Sequence, residues 1–529
     1  MGAKAREKEK NMFDLVLKNG KIIDGTGTPA FYADIAVKDG RIARIARNIE
    51  DDCEILDVKG LTVTPGFIDS HAHNDLQMLS FPEQREKVEQ GITTAIAGTC
   101  GTTNAPLSCE FRAEEDVEYG ALGKHSDIHR TWGSYMDTLE KLPLGCNVLC
   151  YVGHNALRRA AMGSEDRAPT AEELEKMKAL VREAMEHGAL GVSFGLAYAP
   201  SCYADTQEMI ALARVVGEYH GVISAHIRNE GDHVVRAAEE FLTTVRESGA
   251  RGVYSHLKSS GKENWGKVCH TLRMIDEVNA EGFDVFADVY PYNASHTTLS
   301  ATIVPKHLHS GGVPALLKAL ESEAERREIR AFCESRWQDW NWVQITICKG
   351  YPDFEGKRIP EIAASLGMDE IDAMCEIISK SGNVCSACYF SIWEEDIERV
   401  IAHPRTMICT DSGVAGNNKV FHPRLRASFP RALAKYVRER GTVTLPEMIR
   451  KITAMPAAVY GLATKGLLRE GMDADICVFD PDAIQDHATF GNCRAPATGL
   501  SYVLVGGKIV VKDAVSNGTR AGRVLRYHG

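Results

Sequence analysis

Two histidines separated by one residue, His71 and His73, follow a short apolar run that begins at Pro65. Alternate side chains of a strand share one face, so two imidazoles at this spacing can bind one metal ion from a strand end. Histidine is the commonest metal ligand in proteins. Short histidine pairs also occur by chance at protein surfaces, so the pair alone leaves metal binding and an incidental surface pair open.

Other side chains of metal-ligand type follow apolar runs further along the chain. They are Cys100, His226, His256 and Asp411. Cysteine and histidine are ligands that zinc-like ions prefer. One such residue after an apolar run is compatible with an ordinary core position. Six of them, each in the same place relative to a strand, favour a metal site.

The apolar runs belong to repeated strand–helix units, which predict a parallel sheet. Residues 170–173 form a capping-box sequence that opens a helix, Gly188 ends that helix, and an apolar strand follows at 190–194. We count eight candidate strands, which end near His73, Cys100, His154, Phe194, His226, His256, Tyr290 and Asp411. Eight units indicate an α/β fold of the (β/α)8 TIM barrel type, whose catalytic groups lie at the carboxyl ends of the strands.

Both ends of the chain have the pattern of β structure. Asn-Gly and Asp-Gly hairpin signals occur at 19–20 and 39–40, and apolar strand-like runs recur at 474–479 and 502–511. Since chain termini often lie close together, we expect one small β-sandwich domain built from residues 1–64 and 466–529. The barrel then occupies 65–465. We expect residues 293–405, after the seventh strand, to form a lid-like insertion over the barrel mouth.

The composition is that of a globular protein. The chain has 529 residues, 44% of them hydrophobic, and a net charge of -11, which argues against nucleic acid or an anionic membrane as the main partner. We find no bilayer-spanning run and no secretory signal. The 15 cysteines are scattered, which favours free thiols in a reducing cytoplasm. Cys385 and Cys388 have the spacing of a redox or zinc pair, but without a second pair we favour a structural role. A homo-oligomer stays open.

The motifs as a set resemble the amidohydrolase superfamily and, within it, the N-acyl-D-amino-acid deacylase (D-aminoacylase) family. The matching segments are 66–73, 97–101, 195–200, 226–230, 255–258, 288–292, 410–413, 422–424 and 428–431. The resemblance implies a zinc-dependent hydrolase that cleaves the amide bond of small N-acyl-D-amino acids. The chain differs from the family at Thr99, where an asparagine is frequent, and at Leu257, where a second histidine is frequent.

The resemblance also implies how the six metal-ligand residues divide. Cys100, His226 and His256 would hold one tightly bound Zn2+, while His71, His73 and Asp411 would line an adjoining, weaker site. Hydantoinases and dihydroorotases use a carboxylated lysine after the fourth strand, and residues 193–198 contain no lysine. A thiolate from Cys100 is the natural substitute, which favours the deacylase branch.

A bound zinc can lower the pKa of water to about 7 and polarise a carbonyl. We expect Asp411 to accept a proton from that water as general base and to pass it to the leaving amine as general acid. The alternative is a helix cap, because Asp411-Ser-Gly could open a helix.

By the same resemblance, four residues are expected to contact the substrate. Lys258 and Arg424 could bind its carboxylate, and Tyr198 and Tyr290 could donate hydroxyl groups. The alternatives are surface charges and core aromatics. No arginine occurs at 290–305, so we expect an apolar or neutral D-side chain rather than an acidic one. A cyclic-amide hydrolase and a metal-free scaffold remain the competing functions.

Overall fold

Eight parallel strands form a closed barrel in the computed structural model, which describes residues 12–107, 131–336, 339–413 and 420–529. The strands are Phe67–Asp69, Ile92–Ala97, Asn147–Cys150 with Val152–Gly153, Gly191–Gly195, Val222–His226, Arg251–Tyr254, Val285–Val289 and Thr406–Ile408. Tyr151 joins the two parts of the third strand and donates its N–H to the carbonyl of Ala97. The predicted TIM barrel with a small second domain is confirmed.

The barrel closes where the eighth strand meets the first. A parallel bridge joins Ala72 to Ser412, and the N–H of His73 donates to the carbonyl of Ser412. The N–H of Asp411 donates to the carbonyl of His71 at 2.9 Å. The first and last predicted site segments therefore lie side by side at the mouth of the barrel.

Amphipathic helices surround the barrel. They are Arg85–Val88, Trp132–Leu139, His154–Met162, Ala171–Glu186, Thr206–Glu218, Val234–Ser248, Val268–Ala280, Glu394–Ala402, Arg424–Arg431, Leu445–Ile452 and Ala454–Val459, with a π-helical segment at Ala432–Glu439. Helix Ala171–Glu186 begins with the predicted capping box, in which Thr170 and Glu173 bond each other's backbone N–H. Its buried face carries Met177, Val181 and Ala184. Among the described residues, no helix has the length and apolar character needed to cross a membrane.

One nine-stranded sheet is shared by the two ends of the chain. The N-terminal end contributes Leu15–Ile22, Phe31–Lys38, Arg41–Ala46, Glu54–Asp57 and Thr62–Pro65, and the C-terminal end contributes Ile476–Phe479, Leu500–Val505, Lys508–Lys512 and Val515–Ser516. Thr62–Pro65 pairs with Leu15–Ile22 on one side and with Ile476–Phe479 on the other. This pairing joins the two ends, while the domain boundaries after residues 64 and 465 stay predictions.

The segment after the seventh strand has its own antiparallel sheet and its own core. The sheet consists of Ser295–Thr298, Val343–Cys348 and Cys385–Tyr389, and the helices are Leu299–Ile303, Gly312–Glu321, Glu323–Glu334, Ile359–Leu366 and Glu370–Ser381. This core runs from Leu299 to Tyr389. Helix Glu394–Ala402 instead buries Ile397 and Val400 in the barrel core. The separately packed part is thus shorter than the predicted insertion at 293–405.

Candidate metal centre

Cys100 lies at the centre of a group of histidines at the barrel mouth. Its Sγ lies 3.3 Å from Nε2 of His71, 3.7 Å from Nδ1 of His226 and 3.4 Å from Nε2 of His256. These residues follow the first, second, fifth and sixth barrel strands. Parallel strands end at one rim of the barrel, so residues up to 185 positions apart come together there. All four side chains are buried.

Asp411 brings a carboxylate to the same group. Its Oδ1 lies 3.0 Å from Nε2 of His73 and 3.5 Å from Nε2 of His71. The six predicted residues form two overlapping sets whose ligand atoms lie within 4.8 Å of one another: His71, His73, Cys100 and Asp411, and Cys100, His226 and His256. Cys100 belongs to both sets, so it is the residue that could bridge two ions.

The backbone is strained at three of these positions. Cys100, His256 and Asp411 have φ values of 52°, 36° and 46°, in the left-handed region that residues with a Cβ rarely adopt. Such conformations persist when surrounding bonds impose them. The N–H of His256, for example, donates to Oδ1 of Asp288 at 2.6 Å. Strain at ligand positions is typical of a functional site rather than of passive packing.

The electrostatics of the site favour ionised ligands. Burial alone would raise the pKa of the Cys100 thiol, but His71 and His256 hold it well below its usual range. Burial likewise opposes ionisation of Asp411, yet the Arg424 guanidinium holds the pKa of this carboxyl well below its usual range. Thiolate, imidazole and carboxylate groups converging at these distances are the donor types that a zinc ion takes.

Two carboxylates that the sequence analysis did not single out orient the histidines from behind. Oε1 of Glu230 lies 3.1 Å from Nδ1 of His256 and 3.6 Å from Nε2 of His226. Oδ2 of Asp288 lies 3.5 Å from Nδ1 of His71. Outer carboxylates of this kind fix the tautomer and orientation of metal-binding histidines. The available signal was positional: Glu230 follows His226 by four residues, and Asp288 lies in the seventh strand.

The four predicted substrate contacts all line one cavity of about 1080 Å³ that also contains His73, Cys100 and Asp411. Lys258 is 5% exposed and donates to Glu230 at 2.6 Å, with its Nζ 2.8 Å from Nδ1 of His256. It is therefore tied to the metal group rather than being a surface charge.

Arg424 and the two tyrosines form the neighbouring wall of the cavity. The Nη1 group of Arg424 donates to Oδ2 of Asp411 at 2.6 Å, and its guanidinium lies 4.6 Å from the centre of the Tyr290 ring. Thr297 donates to the hydroxyl of Tyr198 at 3.2 Å. Within the described part of the chain, the buried hydroxyl of Tyr290 has no hydrogen-bond partner. Burial raises the pKa of both tyrosines well above the usual value, so both stay protonated donors.

The two differences from the family pattern are accommodated locally. Thr99 donates to the carbonyl of Ala72 at 2.9 Å and lies 3.4 Å from Nδ1 of His73, so its hydroxyl also touches a ligand residue. Leu257 is buried in the barrel core.

Cys385 and Cys388 lie three residues apart on one strand, Cys385–Tyr389, and so point to opposite faces. That geometry agrees with the structural role expected for them.

The barrel and its rim of histidine, cysteine and aspartate define a hydrolase of the metal-dependent amidohydrolase class. Residues 54–511 match the profile described as the amidohydrolase family. The chain is 35% identical over 521 residues to D-aminoacylase of Alcaligenes xylosoxydans xylosoxydans, covering 98% of this chain and 99% of that protein. It is also 35% identical over 516 residues to N-acyl-D-glutamate deacylase of the same organism, covering 97% and 96%.

A solved structure gives the same result. The crystal structure of N-acyl-D-glutamate deacylase from Bordetella bronchiseptica, complexed with zinc and a phosphonate inhibitor that mimics the tetrahedral intermediate, superposes with a TM-score of 0.84 at 35% identity. The match covers 97% of this chain and 99% of that one. The chain belongs to the amidohydrolase family, in the branch of the N-acyl-D-amino-acid deacylases, as its motifs predicted.

Proposed function

We propose that this protein hydrolyses the amide bond of N-acyl-D-amino acids, releasing a carboxylate and a free D-amino acid. The observation that carries the proposal is the convergence of Asp411, the two sets of metal-ligand residues and the Lys258 cation on one cavity. The relatives that bear deacylase names support the substrate class. The fourth strand, Gly191–Gly195, has no lysine for the bridging role known in cyclic-amide hydrolases.

Cys100, His226 and His256 would hold one zinc tightly, with His71, His73 and Asp411 lining an adjoining, weaker site. Zinc supplies a Lewis acid that polarises the amide carbonyl and makes water acidic enough to attack at neutral pH. Cysteine thiolate and imidazole are the donors expected at a tight zinc site. His71 lies in contact with Cys100 and near Asp411, so its position couples the two sets.

Asp411 acts as the general base and then the general acid. One of its oxygens faces His73 at 3.0 Å and the other is held by Arg424 at 2.6 Å, which fixes the carboxylate plane. The carboxylate accepts a proton from the attacking water and delivers it to the leaving nitrogen. The hydroxyl of Tyr290, which has no hydrogen-bond partner among the described residues, donates to the oxyanion that develops on the carbonyl oxygen.

Lys258 and Arg424 supply positive charge for the α-carboxylate of the substrate, and Tyr198 adds a hydroxyl. Lys258 bonds Glu230 at 2.6 Å and Arg424 bonds Asp411 at 2.6 Å. Both cations would therefore share their N–H groups between an internal carboxylate and the substrate. Arg424 has five N–H donors in a fixed fork and can serve both.

The side chain of the substrate is apolar or neutral in our proposal. The cavity wall directly after the seventh strand carries Ser295, His296, Thr297 and Thr298, whereas the cavity's arginines Arg228, Arg336 and Arg424 come from other segments. Burial beside Arg424 lowers the pKa of His296 to about 3, so this histidine is neutral and offers no charge to an acidic side chain. The chain is 35% identical both to a D-aminoacylase and to an N-acyl-D-glutamate deacylase, so sequence identity does not distinguish an apolar from an acidic substrate side chain.

A panel of N-acetyl-amino acids tests the function. The D and L forms of N-acetyl-leucine, -methionine, -phenylalanine and -glutamate are assayed with and without added zinc. We expect hydrolysis of the D forms, with leucine, methionine or phenylalanine preferred. A strict L preference, or ring opening of a hydantoin without deacylation, would overturn the proposed reaction, and preference for D-glutamate would overturn the side-chain proposal.

We also propose that the enzyme works in the cytoplasm. The location is supported by the cysteines of the described residues other than Cys493, which are free thiols and mostly buried. Free buried thiols are typical of a reducing compartment. Cell fractionation tests this location, and recovery of the enzyme in a secreted fraction would overturn it.

A further inference from the structure

Lys87 is completely buried beneath the metal centre, between the first and the eighth barrel strands. Its Nζ donates to Oδ2 of Asp69 at 2.8 Å, to Oγ1 of Thr410 at 2.7 Å and to the carbonyl of Ser412 at 2.8 Å. A lysine ammonium has three N–H donors, so every donor of this buried charge is used. A buried charge is tolerated only when it is paired and hydrogen-bonded in this way.

Asp69 completes the network from the end of the first strand. Its Oδ1 accepts from the N–H of Thr410 at 2.8 Å, and its Oδ2 accepts from the hydroxyl of Thr410 at 2.6 Å as well as from Lys87. Lys87 and Asp69 together take part in six hydrogen bonds, because Oδ1 of Asp69 also accepts from the N–H of His71 at 3.5 Å. Thr410 donates two of these hydrogen bonds and accepts one, and the carbonyl of Ser412 accepts another.

The two bonded residues are the chain neighbours of Asp411. The regular eighth strand ends at Ile408, and Asp411 has a φ of 46°, which its backbone would not keep without external support. Thr410 is held before it and Ser412 after it by the same ammonium group. Lys87, in the helix Arg85–Val88, thus bonds the residues on both sides of Asp411, which lies more than 320 positions later in the chain.

We propose that Lys87, paired with Asp69, is a positioning residue that fixes the carboxylate of Asp411 for proton transfer. The inference rests on the proposed role of Asp411 as general base. Neither Lys87 nor Asp69 lines the cavity, so the pair acts through residues 410–412 and, by the longer hydrogen bond from the N–H of His71 to Oδ1 of Asp69 at 3.5 Å, through the end of the first strand. Displacement of a reacting group by about 1 Å can slow an enzyme by roughly 100-fold. We expect kcat to fall by a factor of that order when the hydrogen bonds of Lys87 are removed.

The test is Lys87→Met in the full-length zinc-loaded protein, with Lys465→Met as the matched control. Lys465 is also buried and bonds two carboxylates, Asp473 at 3.0 Å and Asp475 at 2.6 Å, but it lies beside the shared sheet, away from the site. Lys87→Met should lower kcat about 100-fold with KM and zinc content near those of the wild type. Lys465→Met should leave kcat per folded molecule unchanged, although both variants lose stability.

A double-mutant comparison separates positioning from general damage. Asp411→Glu places the carboxylate differently, so Lys87→Met should cost much less in that background than in the wild type. An equal loss in both backgrounds, or a loss that follows only the folded fraction as in Lys465→Met, would overturn the proposal. If Lys87→Met does not fold, Thr410→Val keeps the Lys87–Asp69 pair and should still lower kcat with little change in KM; unchanged kcat in Thr410→Val overturns the proposal.

A crystal structure supplies a readout that does not depend on the reaction. In Lys87→Met, or in Thr410→Val if that variant replaces it, the Asp411 carboxylate should move away from Nε2 of His73, which it contacts at 3.0 Å in the wild type. An unmoved carboxylate rejects the positioning role. If the wild type fails to hydrolyse any N-acyl-D-amino acid, the proposed function fails, while the crystallographic result still decides where Lys87 holds Asp411.

Discussion

Arg424 donates a hydrogen bond of 2.6 Å to Asp411, and both side chains are buried. From the sequence, Arg424 is expected to bind the substrate and Asp411 to transfer a proton, which are separate roles. The structure makes them one buried ion pair. The guanidinium orients the carboxylate and stabilises its ionised form, so in the proposed mechanism the arginine prepares the general base before the substrate binds.

Asp411→Asn should abolish turnover while the protein stays folded. Asparagine has nearly the same shape but cannot accept and return a proton. We expect kcat to fall by at least about 100-fold and zinc bound by Cys100, His226 and His256 to be retained. Steady-state kinetics, circular dichroism and metal analysis check these points. Activity near that of the wild type would remove Asp411 from its proposed role.

Arg424→Gln should move the acid limb of the pH–kcat profile to higher pH. Burial raises the pKa of Asp411 and the Arg424 cation lowers it, so loss of the cation lets that pKa rise. Because the reaction needs the carboxylate form, activity at low pH is lost first. Arg424→Lys keeps the charge and should restore much of the limb. Arg426→Gln is the control on the same helix, since Arg426 bonds Glu86 and Glu89 instead.

Cys100→Ala should remove the tight zinc. The Cys100 sulfur is the ligand atom common to both sets of ligand residues, so this replacement disturbs both. We expect zinc affinity to fall by more than about 100-fold, beyond the 10–100-fold typical of outer residues. Metal analysis after dialysis measures the loss. Cys150→Ala, a buried cysteine of the third strand, should keep the metal; equal loss in both would show that destabilisation is the cause.

Glu230→Gln should weaken zinc binding and substrate binding together. Glu230 lies behind His226 and His256 and also holds Lys258 at 2.6 Å. We expect roughly 10–100-fold weaker metal binding and a higher KM at saturating zinc. Glu240→Gln removes a carboxylate that bonds Arg228 and serves as the control. Unchanged zinc affinity in Glu230→Gln would show that Glu230 does not support the metal-binding histidines and only holds Lys258.

Metal binding at the weaker site should release a proton at neutral pH. Burial lowers the pKa of His73, but Asp411 and Cys100 together outweigh it and raise that pKa to about 9 in the metal-free protein. Below this value the proton must leave before the ring can bind metal. Affinity for the second metal should therefore rise with pH up to about 9. Calorimetry in buffers of different ionisation enthalpy detects the proton, and no proton release at pH 7 contradicts the prediction.

Much of the site was predictable because the barrel places equivalent residues at equivalent points. Each strand is a local apolar run, and the residue that follows it lies at the same rim whatever the distance along the chain. His226 and His256 could be assigned in this way without any knowledge of their contacts. The paired ends of the chain were also foreseen from their hairpin signals. The shorter extent of the packed insertion was not, because helix Glu394–Ala402 differs from insertion helices only in what it packs against.

The sequence by itself determined which residue types follow the strands, and so the kind of metal, the fold and the family. Only the tertiary structure decided which side chains bond to each other. Arg424 bonds Asp411, Glu230 lies against two histidines, and Lys87 bonds the residues before and after Asp411. The physical reason is the separation of the interacting residues along the chain. Strand and helix patterns arise between residues a few positions apart, whereas the contacts of Lys87 form only when barrel closure brings the eighth strand beside the first.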